Sequence, residues 1–258
     1  MAVAALYDIH GNLPALDAVL DELRRLHVDR IVIGGDVVPG PMPRECLRRL
    51  LGLDPPVQFI HGNCERAVLA QMVAGESGEV TYWGTTSGRP MPAPDLDNMR
   101  WTASQLYPEF QPLFASWPKT LQLEIPGIGQ VLFCHGTPVS ETDIFTRLTP
   151  DHVLKPLFEP LGVSLVVCGH THMQFDRMIG TTRVVNAGSV GMPFGRQGAC
   201  WALLGPDVQL RRTSYDFAKA ADRLRTSDYP GAPKYADDLL QPPDENEIVQ
   251  LFEKAALK

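Results

Sequence analysis

Asp8, His10, Asp36, Asn63, His135, His170 and His172 are residues of metal-binding type, and each follows an apolar run. The clearest case is Val166-Val167-Cys168-Gly169-His170-Thr171-His172. Leu165 to Val167 form an apolar, mostly β-branched run that reads as a buried strand ending at a glycine. In extended backbone, side chains two apart point the same way. That spacing turns His170 and His172 toward one point past the strand's carboxyl end, where open α/β sheets bind ligands. Alone, such a pair more often marks hydrogen-bonded surface or core histidines. The other strand ends change the balance, because together they supply two carboxylates, an amide oxygen and four imidazoles. Oxygen and nitrogen donors without thiolate suit Mn, Fe, Zn, Co or Ni. A shared carboxylate can hold two such ions about 3.5–4 Å apart, and Asp36, standing after Gly34 and Gly35, is placed to be that bridge.

The positioning elements follow in order. Val3 to Tyr7 reads as a buried strand, then the Asp8-Ile9-His10-Gly11-Asn12 loop, then a helix whose apolar face is Leu13, Leu16, Val19, Leu20, Leu23 and Leu26. Asn12 is a candidate N-cap, with Pro14 tolerated in the first turn. The pattern repeats with a strand at Asp29–Ile33, Gly34-Gly35-Asp36 and a helix from Arg44 to Leu51. It repeats again with a strand at Val57–Ile60, the His61–Arg66 loop and a helix from Ala67 to Met72. Three such units imply a parallel sheet with right-handed crossovers.

Residues 74–118 break the pattern. They are rich in proline and carry Trp83, Trp101 and Trp117, with short helices expected at Asp95–Leu106 and Pro108–Trp117. They form either a cap near the site or a covering layer without substrate contact. Alternating strands follow: a hairpin through Leu121–Ile125 and Val131–Cys134 that ends at His135, and another through Gln174–Ile179 and Thr182–Asn186. A last strand pair spans Gly198–Leu204 and Val208–Arg212. The tail reads as helices at Phe217–Leu224 and Asn246–Ala256, separated by a proline-rich connector.

Composition bounds the function. The chain has 258 residues, 44% hydrophobic and 21% charged, enough for one domain over residues 1–258 with the 74–118 segment set within it. A formal net charge of -7 argues against a stable nucleic-acid complex or an anionic-membrane role. No run reaches the roughly 18 apolar residues of a membrane span. The amino terminus lacks a basic leader, and five scattered cysteines without a CxxC pair suit a reducing compartment, so the expected location is cytoplasmic.

The ordered motifs Asp8-x-His10, Gly35-Asp36, Gly62-Asn63, His135-Gly136 and Gly169-His170-Thr171-His172 resemble the calcineurin-like metallophosphoesterase superfamily. Gly62-Asn63-Cys64 and Val184-Val185-Asn186-Ala187-Gly188-Ser189-Val190-Gly191 resemble its small bacterial and archaeal phosphodiesterase branch. The resemblance implies a four-layer α-β-β-α sandwich of two mixed sheets with a helical insertion, in agreement with the parallel units and hairpins. It implies one metal on Asp8, His10, Asp36 and His172, a second on Asp36, Asn63, His135 and His170, and attack by a bridging hydroxide. Asp36, Asn63 and His135 are then the catalytic set, and Mn the cofactor expected to support activity. Asn12 and Arg66 are candidate phosphate-binding residues, Arg66 because guanidinium grips phosphate bidentately. His61 is a candidate support behind the ligands.

Relatives often carry histidine where this chain has Cys64. A thiol near pKa 8.5 is a poor donor to a departing alkoxide. This favours phosphodiester or nucleotide phosphoanhydride substrates over monoesters of unactivated alcohols, and the tryptophans of 74–118 are candidates to stack a base. A protein serine/threonine phosphatase fits less well, because Asp36 is followed by Val37-Val38-Pro39-Gly40. A non-catalytic scaffold for protein partners is the other alternative, against which the full ligand set stands. The branch's association through surface helices allows a homodimer.

Overall fold

The computed structural model describes residues 1–54, 57–75, 78 and 80–258. In chain order the first units are β1 (Val3–Leu6), α1 (Leu13–Leu26), β2 (Arg30–Ile33), α2 (Pro43–Leu51), β3 (Val57–Phe59) and α3 (Asn63–Ala74). Two helices, α4 (Ala93–Leu106) and α5 (Gln111–Ser116), precede the hairpin β4 (Thr120–Ile125) and β5 (Gly129–Cys134). Then come α6 (Asp151–Phe158), β6 (Leu165–Cys168), β7 (Phe175–Ile179), β8 (Thr182–Asn186), β9 (Ala199–Leu204) and β10 (Val208–Thr213). The tail holds α7 (Phe217–Arg225), α8 (Ala232–Leu240) and α9 (Glu245–Ala255).

Two five-stranded mixed sheets result, in the orders β10-β9-β1-β2-β3 and β4-β5-β6-β8-β7. β1, β2 and β3 run parallel, as do β5, β6 and β8, while the hairpin partners are antiparallel. Strand alternation assigns the layers. Ala4 and Leu6 pack outward against the Leu16, Val19, Leu20 and Leu47 faces of α1 and α2. Val3, Ala5 and Tyr7 pack inward against Val131, Phe133, Leu165 and Val167 of the second sheet. The intervening Leu132, Cys134, Val166 and Cys168 turn to the far side, under Leu154 and Phe158 of α6. Both faces of both sheets are therefore covered, giving the α-β-β-α order, and the central strands are apolar throughout.

The 74–118 segment joins the first helical layer: Met99, Ala103 and Leu106 of α4 and Phe114 of α5 share its core with Trp117. Residues 76, 77 and 79 of this segment lie outside the described residues. Two expectations are corrected. The third helix begins at Asn63 rather than Ala67, so a candidate ligand is its first residue. The connector read as proline-rich loop contains α8, because Pro233 falls in the first turn of that helix, where a missing N–H costs nothing.

The inter-sheet core should be the least forgiving part of the fold. Phe133 is fully buried there, and Phe133→Ala should cost about 3–5 kcal/mol in denaturant unfolding. A loss below about 1 kcal/mol would mean that the two sheets close over the gap.

Candidate metal centre

The candidate ligands converge at the carboxyl ends of the central strands, through backbone of an unusual kind. Asp8 (φ 53°), His10 (φ 47°), Asp36 (φ 54°), His170 (φ 67°) and His172 (φ 61°) are all left-handed. Among the described residues, His27 at the end of α1 is the other non-glycine with positive φ. Each such residue costs on the order of 1–3 kcal/mol and persists only where surrounding structure holds it. The extended-backbone argument for His170 and His172 is therefore corrected: left-handed turns past the strand, not continued pleating, aim the pair.

Hydrogen bonds supply the holding. The Asp8 and His10 N–H groups donate to Gly35 O (3.1 Å) and Asp36 O (3.0 Å), lacing the first two loops together. Asp8 accepts at its carbonyl from Ser189 Oγ (2.7 Å) and at Oδ2 from His170 N–H (2.9 Å). Asp36 Oδ1 accepts from Cys64 N–H (2.9 Å). Asn186 Nδ2 donates to Gly169 O (2.6 Å), while its Oδ1 accepts from Gly188 N–H (2.8 Å).

Two groups of donor atoms result, Asp8 with His10 and His172, and Asp36 with His135 and His170, each within 4.8 Å. His135 Nδ1–H donates to Gly34 O (2.8 Å) and His172 Nδ1–H to Met192 O (2.9 Å), which turns both Nε2 atoms inward. His10 Nε2 and His172 Nε2 stand 3.1 Å apart, an arrangement that needs a proton or a cation between them. Asn63 Oδ1 lies 3.0 Å from His135 Nε2. Asp8 Oδ1 and His170 Nε2 are buried with no hydrogen-bond partner. Unpartnered buried atoms, inward-turned imidazole nitrogens and an all N/O donor set fit divalent transition-metal ions.

Comparison with known proteins agrees. Residues 1–207 match the family described as the calcineurin-like phosphoesterase superfamily domain. The chain belongs to the calcineurin-like phosphoesterase superfamily. An uncharacterised protein of Methanocaldococcus jannaschii, MJ0912, is 26% identical over 242 residues, 86% of this chain and 91% of that protein. The hypothetical protein PH1004 of Pyrococcus horikoshii OT3 superposes with TM-score 0.75 at 23% identity, covering 92% of this chain and 97% of that one. A metallophosphoesterase from Sphaerobacter thermophilus superposes with TM-score 0.69 at 25% identity, covering 93% and 98%.

Within this phosphoesterase the electrostatics are set by burial. Burial and the neighbouring His172 bring His10 down to about 4, and burial and His135 do the same for His170. Both candidate ligands are neutral at pH 7. Burial also opposes a charge on His135, yet the Asp36 carboxylate 3.5 Å away outweighs it and lifts His135 to about 10. Burial drives the Cys64 thiol well above its ordinary range, and the Asp36 charge adds to that, so it stays protonated.

Glu65 was not identified from sequence as part of the site. It is fully buried, and its carboxylate accepts from the N–H groups of Asp36 (2.8 Å), Gly62 (2.8 Å), Val37 (2.7 Å) and Val38 (3.3 Å). It therefore shapes the Asp36 turn. A Glu two residues after the Asn63 ligand, on the first turn of a helix, was the available signal. Asn63 itself is oriented by Nδ2 donating to Gly84 O (3.0 Å), in the segment that follows α3.

The candidate phosphate binders are placed elsewhere. Asn12 is fully buried; its Oδ1 caps α1 through Ala15 N–H and its Nδ2 donates to Gly191 O. The Arg66 guanidinium pairs with Glu141 and lies 4.3 Å from the centre of the Tyr82 ring. Tyr82 Oη also donates to Glu141 (2.7 Å). His61 donates its backbone N–H to Pro118 O. None of the three lines the cleft above the ligands, which encloses about 790 Å³. His10, Asp36, Asn63, His170 and His172 form its floor, with Cys64 beside them. Met91 and Met99 from the α4 side, Met192, and Tyr229 and Tyr235 from the α8 side form its walls. Trp83, Trp101 and Trp117 are not in the lining; Trp117 stacks on Phe59 (4.6 Å) and Trp101 meets Tyr229 edge-on (5.4 Å).

Two outcomes follow for metal uptake. A cation must displace the His135 proton, so affinity should rise with pH from 6 to 9, by up to about tenfold per unit for each proton released. Calorimetry in buffers of different ionisation enthalpy reads the proton directly; a flat affinity would contradict it. A methyl at Gly62 would fall 2.0 Å from Asp36 Oδ1. Gly62→Ala should therefore weaken metal binding about 10–100-fold, read by elemental analysis after dialysis.

Proposed function

We propose that the chain hydrolyses phosphodiester or nucleotide phosphoanhydride bonds at a centre of two divalent cations, Mn supporting activity. The observation that carries this reading is the pair of donor groups on the floor of an open cleft, with Asp8 Oδ1 and His170 Nε2 unpartnered. Asp8, His10 and His172 would hold one ion and Asn63, His135 and His170 the other, with Asp36 shared. Such ions supply a Lewis acid for phosphoryl oxygens and acidify water toward neutrality.

The chain's own groups orient and exclude. His135 and His172 are fixed in tautomer by Gly34 O and Met192 O, so their Nε2 atoms have no freedom to turn away. Asp36 is held at Oδ1 by Cys64 N–H, which leaves Oδ2 for the shared position. Cys64 stays a neutral thiol at the cleft floor, a weak proton donor. This favours substrates whose leaving group departs without a strong acid. The 74–118 segment acts as the cap of this site, since Thr85, Met91 and Met99 close one side of the cleft.

The test is hydrolysis of bis-p-nitrophenyl phosphate and p-nitrophenyl phosphate with Mn(II), on wild type and Asp36→Asn. Turnover of the diester should exceed that of the monoester and drop by at least about 100-fold in Asp36→Asn, more than loss of a mere supporting contact brings. Equal monoester turnover would refute the Cys64 argument. Absence of both turnover and bound metal would refute the enzymatic reading.

A further inference from the structure

The cleft is electrically lopsided in a way that bears on the substrate. Its floor carries the candidate metal ligands. Its outer wall carries Asp95 and Asp97 of α4, and Asp238 and Lys234 of α8. Lys234 and Asp238 neutralise one another, at 2.5 Å across one helical turn. Asp95 and Asp97 are exposed and, among the described residues, make no ion pair and no side-chain hydrogen bond. The α4 amino terminus nearby offers about half a positive charge, too little to cancel two carboxylates. Lys234 is the sole Lys or Arg among the described lining residues, and it is already paired.

Tyr229 and Tyr235, both largely buried, line the same cleft. With two cations bound, the floor would be positive while the rim stays negative. Such a cleft attracts one phosphate at the floor and repels a second anion held further out. A group with positive charge at the rim gains from the carboxylates. We infer that the substrate is a phosphodiester with one phosphate and an ammonium-bearing group, held against Asp95, Asp97 and the Tyr229–Tyr235 wall, rather than a polyphosphate. This rests on the proposed function and selects between the two bond classes named there.

The test uses a neutral carbon isostere. Wild-type protein with Mn(II) is given p-nitrophenyl phosphorylcholine and p-nitrophenyl 3,3-dimethylbutyl phosphate, which differ by one nitrogen-for-carbon replacement. The choline ester should have kcat/KM about tenfold higher at low ionic strength, the effect of a partly solvated charge pair at this range. The ratio should shrink in high salt and fall toward one in the Asp95→Asn/Asp97→Asn double variant. A wild-type ratio of one, or a ratio that the double variant leaves in place, overturns the inference. Binding of phosphocholine against 3,3-dimethylbutyl phosphate, by calorimetry on metal-loaded protein, reads the same ratio without turnover. Charge preference without hydrolysis of either diester or bis-p-nitrophenyl phosphate would uphold the cleft argument and refute the proposed function. Hydrolysis without charge preference would do the reverse.

Discussion

Asp8 and Asp36 are carboxylates buried in the seam between two sheets, and a buried charge must be compensated. That requirement organises the molecule. The compensation available from the chain is N–H donors and imidazoles, with His135 charged: His170 N–H on Asp8, Cys64 N–H on Asp36, and histidines aimed at both. It is incomplete, since Asp8 Oδ1 has no partner. The left-handed turns at five ligands, each costly by itself, are the means by which strand ends deliver side chains to so small a volume. The second sheet is needed as much as the first, because His135 and the His170/His172 pair arrive from β5 and β6.

Most of this could be read from residue type and order. Apolar runs ending in Asp, Asn or His marked the strand ends, and the unbroken apolar character of β1 and β6 marked them as buried strands. What could not be read were features that depend on distant backbone. Left-handed φ at Asp8 or His172 leaves no trace in local propensity, since it is imposed by bonds to loops far along the chain. The helix that carries Glu65 places it beneath the Asp36 turn, among N–H groups that no pattern announces. Arg66 has the right chemistry for phosphate, but Glu141 and Tyr82 engage it first. Helix α8 was hidden by prolines that break a helix in its middle and not at its start.

The cleft walls are built from parts with different origins. One side comes from the segment between α3 and β4, the other from the tail beyond β10, and neither belongs to the strand–loop–helix units that carry the ligands. Of the tryptophans that invited a stacking role, Trp117 packs in the first helical layer and Trp101 against the tail helices, while Tyr229 and Tyr235 are the aromatic residues that line the cleft. Residue type alone cannot separate these duties; placement does.

Asn63 ties the two kinds of part together. Its amide nitrogen is held by Gly84 O, in the wall-forming segment, while its oxygen faces His135. An amide held this way cannot rotate to present nitrogen to the centre without breaking that bond. The wall segment and the ligand cluster are accordingly not interchangeable modules. Grafting a foreign segment between α3 and β4 to alter what the cleft admits would also release the amide that faces His135, unless the graft kept a carbonyl where Gly84 O now stands.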